Sequence, residues 1–252
     1  MRIVIIGGTG LIGSRVSDRL RAAGHEAMAA APSTGVDIVT GQGLLDAFGG
    51  ADVVVNLANS PAFDDETSMS FFRTAGQNIR DGEAKAGVRH HVALSVVGTE
   101  KLQESGYFRA KLVQEQLIKS GATPWTILRA TQFMDFLRGI AQSGQVGDDI
   151  RLPPASIQPI AADDVADAVA AAAMATPAND TIEIGGPERF RMDKLIGRVL
   201  AFDKDERKVI MDQEARYFGV RLQGEELIPG PDARLGSTRL EDWLANAPVR
   251  RS

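Results

Sequence analysis

Residues 1–24, MRIVIIGGTGLIGSRVSDRLRAAG, constrain the fold more than any other stretch. Ile3–Ile6 is a run of β-branched residues, the pattern of a strand buried on both faces of a parallel sheet. Gly7-Gly8-Thr9-Gly10 makes a turn. A helix follows with Ile12, Val16 and Leu20 spaced by four, and Gly24 ends it. The glycines spell G-x-G-x-x-G from Gly8, Gly10 and Gly13, or G-x-x-G-x-x-G from Gly7, Gly10 and Gly13. Under either reading an early glycine permits a positive φ. Gly10 leaves room for a pyrophosphate beside the backbone, and Gly13 lets the helix pack closely on the strand. The helix N-terminus then offers N–H groups and partial positive charge to phosphates. Strand, glycine turn and helix together predict a dinucleotide-binding unit, with Gly7, Thr9, Gly10, Leu11, Ile12 and Gly13 against the cofactor.

His25–Ala31 reads as the second strand, and the adenosine ribose belongs at its end in this architecture. An acidic residue there would hold the ribose 2′-hydroxyl. The sequence instead runs Ala30-Ala31-Pro32-Ser33-Thr34, with no carboxylate before Asp37. That favours NADP(H) over NAD(H). Ser33, Thr34 and Arg15 are the candidates to meet a 2′-phosphate, although Arg15 reads equally well as a solvated helix residue. A third strand is expected at Val36–Val39, a short helix around Leu44–Phe48 and a strong fourth strand in Asp52–Asn59. Ala58, Asn59 and Ser60 fall at its C-terminal end, where ligands bind in open α/β sheets. A long helix over about 67–86, a fifth strand at His91–Val97 and a sixth at Trp125–Arg129 follow.

Tyr107 and Lys111 are four apart on a helix expected to run to about Lys119, so they share a face. A tyrosine with a lysine one turn away is a sensible general acid, because a nearby ammonium favours the phenolate and lowers the phenol's pKa. Lys111 can also hold a nicotinamide ribose. Ser95, at a strand end twelve residues before the tyrosine, can bond a substrate carbonyl oxygen. His90 and His91 are adjacent on a strand and point to opposite faces, so they cannot share a metal. They read as a surface pair at the strand start, and with three histidines and no cysteine no metal site is expected.

At GGTGLIG (7–13), VNLAN (55–59), HHVALSVVG (90–98), YFRAK (107–111), WTILRATQF (125–133) and PIAADDVADAV (159–169) the chain resembles the short-chain dehydrogenase/reductase superfamily. More closely, it is similar to the atypical branch that holds NmrA-like proteins and NADPH-dependent quinone and carbonyl reductases. The resemblance implies a Rossmann doubly wound parallel sheet with a small C-terminal substrate lobe. It implies Tyr107 as proton donor, Lys111 as the ribose-binding lysine that tunes it and Ser95 as the serine that orients the substrate oxygen. Asn78 lies in the helix that carries a further catalytic asparagine in relatives. Thr131-Gln132-Phe133-Met134 would lie beside the nicotinamide.

The C-terminal half reads as a polar loop at Gly144–Pro154, a lid or lobe connection, then an alanine-rich helix to Met174 capped by Asp163 and Asp164. A strand at Thr181–Ile184, helices at Met192–Phe202 and about Leu240–Ala245, and a strand near Lys208–Met211 complete it. One nucleotide-binding domain is expected over 1–252, its core about 1–130 and 157–175, its lobe about 131–156 and 176–252.

With 44% apolar residues the chain can bury a substantial core. Its net charge of −5 and lack of a basic stripe argue against nucleic-acid binding. No apolar run is long enough for a membrane span, and no signal peptide is seen, so a cytoplasmic protein is expected. The expected activity is NADPH-dependent reduction of a ketone, aldehyde or quinone. A dinucleotide-binding redox sensor without turnover is the alternative, and a nucleotide-retaining isomerase or epimerase a third. A small-molecule carbonyl or quinone is the expected partner, and a homodimer is possible.

Overall fold

The computed structural model describes residues 1–246. In chain order the first half forms β1 (Arg2–Ile6), α1 (Leu11–Ala22), β2 (Glu26–Ala30), α2 (Leu44–Phe48), β3 (Val53–Asn56), α3 (Asp65–Ala86), β4 (His90–Val96), α4 (Gly106–Lys119) and β5 (Trp125–Ala130). The second half forms α5 (Leu137–Ser143), β6 (Gln145–Val146), β7 (Asp149–Leu152), β8 (Ser156–Ile157), α6 (Ala162–Met174), β9 (Asp180–Gly185), β10 (Phe190–Arg191), α7 (Met192–Asp203), β11 (Lys208–Met211), β12 (Arg234–Leu235) and α8 (Leu240–Asn246). A parallel seven-stranded sheet runs β2-β1-β3-β4-β5-β9-β12, a Rossmann-type α/β arrangement. The chain divides into two compact units. One comprises Met1–Arg129 with Val165–Ile182, and the other Ala130–Asp164 with the chain from Glu183 onward.

In the first unit β1 is an interior strand, flanked by β2 and β3. Ile3, Val4 and Ile5 are fully buried and Ile6 nearly so. Ile3 pairs with Val53 on one side and Ala27 on the other. That is why these residues read as an uninterrupted apolar run, since helices cover both faces of a parallel sheet. On one face Val4, Ile6 and Val54 pack against Leu44, Phe48 and Ile79. Asp64 caps α3 by accepting from the Thr67 N–H at 2.8 Å. Order reverses between β1 and β3, so the crevice beyond their carboxyl ends is the place for a ligand.

Val36–Val39 is not a strand. Asp37 turns its carboxylate onto the Val39 and Thr40 N–H groups, its own N–H donates to Gln42 O, and Gly41 N–H donates to Asp37 O. These local bonds hold the segment in turns, and the sheet ends at β2.

In the second unit the expected polar loop at 144–154 contains a hairpin. β6 pairs antiparallel with β7, which pairs parallel with β11. Ile150 and Leu152 are buried while Arg151 is exposed. The alternation is real but only four residues long, too short to stand out from a polar context. β8 and β10 form a further two-stranded pair in this unit. Asp164 lies in the first turn of α6, and its carboxylate accepts from the N–H and hydroxyl of Thr238 at 3.0 Å.

Candidate functional site

Both spellings of the glycine turn hold, since a Cβ on Gly8 would lie 2.7 Å from Ala29 Cα. Gly7 has φ of 75°, which a residue with a Cβ rarely adopts. The Gly10 N–H closes the turn onto Gly7 O at 3.0 Å. A Cβ on Gly13 would lie 2.6 Å from Gly8 Cα and inside the envelope of the Gly7 carbonyl. A side chain there would push α1 off the turn and withdraw its first-turn N–H groups, which have no partner within the helix. A Cβ on Gly7 would lie 3.2 Å from the Leu57 carbonyl, so this turn and the segment after β3 flank one crevice. This turn geometry fits a pyrophosphate, which Thr9, Gly10, Leu11, Ile12 and Gly13 would border. Ile12 and Gly13 are buried, and Leu11 is exposed.

At the end of β2, Thr34 is a correction. Its hydroxyl donates within its own turn, toward Ala29 O and Ala31 O, and accepts from the Ala31 N–H at 2.9 Å. It shapes the turn and has no spare donor for a phosphate. Ser33 is exposed beside it. Arg15 lays its guanidinium on Leu11 O at 2.8 Å, one turn back on α1.

Tyr107 stands in the first turn of α4. Arg109 fixes that turn by donating to Gln103 O and Glu104 O and pairing with Asp65 of α3. The Tyr107 hydroxyl donates to Asn59 Oδ1 at 3.0 Å. Phe63, Phe72 and Phe108 surround the ring edge-on, with Phe63 5.1 Å away and 59% exposed. Burial pushes the phenol up to about 12, while the Asn59 amide acts the other way. Of the other residues expected after β3, Ala58 gives its N–H to Asn56 Oδ1 at 3.2 Å and buried Ser60 accepts from Ala62 N–H at 3.4 Å.

Two expectations about the Tyr107 site need correction. Lys111 does not lower its pKa. The lysine is buried, donates to Leu94 O at 3.0 Å and to Gln114 Oε1 at 2.6 Å, and lies 4.8 Å over the Phe72 ring. Burial brings Lys111 itself down to about 8, against the attraction of Glu115. Ser95, expected to orient a substrate oxygen, is engaged in the interior instead. Its hydroxyl donates to Glu115 Oε1 at 2.6 Å, and the same carboxylate takes two bonds from Arg129, at 2.9 and 2.6 Å. Ser95, Glu115 and Arg129 are all buried. Sequence reading missed Glu115, Gln114 and the aromatic ring of partners. The signal for Glu115 was its place four residues after Lys111, on the same stripe of α4 as Tyr107.

Asn78 serves a loop, donating to Ile38 O at 3.0 Å and Val39 O at 2.8 Å. His90 and His91 are buried, which corrects the surface assignment. His90 Nε2 meets Thr126 Oγ1 at 2.9 Å, and His91 Nδ1 meets Glu83 Oε1 at 2.5 Å on the opposite face. In the second unit, Met134 and Leu137 are core, while Phe136 is exposed and stacks on Phe133 at 5.5 Å. Thr131 Oγ1 and both polar atoms of the Gln132 amide are buried without a hydrogen-bond partner, the state of groups that await one.

The family profile described as NAD(P)H-binding matches residues 7–176. No curated protein matches the chain. Among solved structures, it is similar to TunA, an NAD-dependent NDP-hexosamine 5,6-dehydratase involved in tunicamycin biosynthesis (16% identity, 97% of this chain and 95% of that one, TM-score 0.74). It is also similar to the Bordetella bronchiseptica enzyme WbmH solved with NAD⁺ (15%, 98% and 96%, TM-score 0.72). A third is a dTDP-4-dehydrorhamnose reductase from Clostridium acetobutylicum (18%, 98% and 92%, TM-score 0.67). At these identities the likeness speaks for the fold. With the profile spanning most of the chain from Gly7 onward, the protein belongs to the NAD(P)H-binding family.

Proposed function

We propose that the protein is an NADPH-dependent reductase of a ketone, aldehyde or quinone, with Tyr107 as its proton donor. The observation that carries this reading is the Tyr107 phenol, protonated at neutral pH and held by Asn59 in the segment after β3. The glycine cradle flanks that same segment. A bound reduced nicotinamide supplies the hydride. Tyr107 supplies the proton: its O–H bond breaks and the proton passes to the carbonyl oxygen. Phe63, Phe72 and Phe108 hold the ring edge-on. Lys111 stands one turn along, and reaching the nicotinamide ribose requires it to turn from its buried partners Leu94 O and Gln114. The absence of a carboxylate between Ala30 and Val36 favours NADP(H).

A second reading has its own support. Lys111 and Ser95 are both committed to buried partners, which suits a protein that binds dinucleotide without turning it over. NADPH consumption across ketones, aldehydes, quinones and nucleotide sugars, with Tyr107→Phe alongside, separates the two. Turnover lost in the variant supports the reductase. Turnover unchanged removes Tyr107 from the mechanism. Tight NADPH binding with no turnover on any substrate favours the sensor.

A further inference from the structure

The phenol's polar partner is an amide, and an amide offers both a donor and an acceptor from one side chain. We propose that Asn59 is the positioning residue for Tyr107, accepting from the phenol through Oδ1 and donating to its phenolate through Nδ2. The inference rests on the reductase reading and gives Asn59 a role distinct from contact with the cofactor.

The geometry supports it in three ways. The Tyr107 hydroxyl and Asn59 Oδ1 are 3.0 Å apart, across 48 residues of sequence. The segment that carries Asn59 is pinned at both ends: Asn56 Oδ1 holds the Ala58 N–H, and the buried Ser68 donates to Ala62 O at 2.9 Å. Phe63, on the same segment, lies edge-on to the Tyr107 ring at 5.1 Å. The other expected site residues are engaged elsewhere, Ser95 by Glu115 and Lys111 by Leu94 O and Gln114.

The chemistry follows from the proton step. When Tyr107 gives its proton to the substrate oxygen, a negative phenolate remains among aromatic rings. A rotation of the Asn59 amide turns Nδ2–H toward that oxygen without moving the backbone. The phenolate is held until a proton from solvent restores the phenol.

The chain has only two tyrosines, so incorporation of 3-fluorotyrosine gives two fluorine resonances, and Tyr217→Phe assigns them. Fluorination makes the phenol a stronger acid and lowers the pH at which it titrates. In Asn59→Leu, the Tyr107 resonance is expected to move and its titration midpoint to rise by about one pH unit, the size of one hydrogen bond to a charged oxygen. The Tyr217 resonance should stay in place. Asn59→Asp keeps the acceptor and loses the donor, so its midpoint should rise at least as far. With an active substrate, kcat should fall about ten-fold in both variants, with little change in KM for NADPH. A Tyr107 resonance and midpoint unchanged in Asn59→Leu would overturn the proposal. A shifted midpoint with Tyr107→Phe fully active would instead remove Tyr107 as the proton donor, because the pairing would exist without a proton to transfer.

Discussion

Removing the Glu115 carboxylate should destabilise the protein more than removing any exposed carboxylate. Glu115 is 1% exposed and accepts two bonds from Arg129 and one from Ser95. In Glu115→Ala the Arg129 guanidinium, 9% exposed at its side chain, keeps only Glu100 at 2.9 Å, a carboxylate that is 62% exposed. Breaking a buried ion pair from one side costs about 3–5 kcal/mol, chiefly through the charge left unpaired. The orphaned Ser95 hydroxyl belongs to the same network, so its penalty overlaps that figure rather than adding to it. For a chain of this size, the loss corresponds to a fall in Tm on the order of 6–20 °C. Urea unfolding followed by circular dichroism reads it directly, given an unchanged m-value. The double variant Glu115→Leu with Arg129→Met should recover most of the loss, since an apolar pair of similar volume replaces a buried ion pair at little cost. A loss under about 1 kcal/mol for Glu115→Ala, the level of a surface pair, would refute the argument. So would a double variant no better than the single one.

Two further perturbations address the cofactor cradle and the buried histidine. Gly13→Ala places a Cβ 2.6 Å from Gly8 Cα, and relieving an overlap of this kind costs about 1–3 kcal/mol. Calorimetric titration with NADPH should show affinity reduced by roughly ten-fold or more, and unchanged affinity would mean that the cofactor does not use this turn. His90 is brought down to about 4, by burial and then by His91. The unfolded chain, whose histidine titrates near 6.5, therefore takes up the proton first, and stability is lost as pH falls from about 6.5 to 4. The limit of that loss is about 3 kcal/mol. Urea midpoints should fall less steeply over that range in His90→Gln than in the parent, and parallel slopes would show that the histidine is not the group responsible.

The glycine turn and β1 were legible because each residue type there answers a backbone need: β-branched side chains for a strand covered on both faces, and glycine where a Cβ has no room. Val36–Val39 misled for the converse reason. Four residues with two β-branched ends look like a strand, but the Asp37 carboxylate offers the backbone local bonds that win over a ladder. The hairpin around 147 is written in alternation over only four residues, below the length at which period two can be told from chance.

The site shows a sharper boundary. Spacing by four on α4 placed Tyr107, Lys111 and Glu115 on one stripe, and a phenol with an ammonium one turn away looks like a face open to cofactor and substrate. It is instead covered, with Lys111 3% and Glu115 1% exposed. Spacing fixes where Cα atoms stand, but the end of a four-carbon chain goes where acceptors are, and Lys111 finds Leu94 O and Gln114 rather than the phenol. Strand parity carried more information than was taken from it. His91, Ala93 and Ser95 lie on one face of β4, and His91 meets Glu83 of α3 while Ser95 meets Glu115 of α4. A serine that shares a face with residues packed under two helices belongs to the interior. The phenol's partner then has to come from a different strand end, and Asn59, in the segment that follows β3, supplies it.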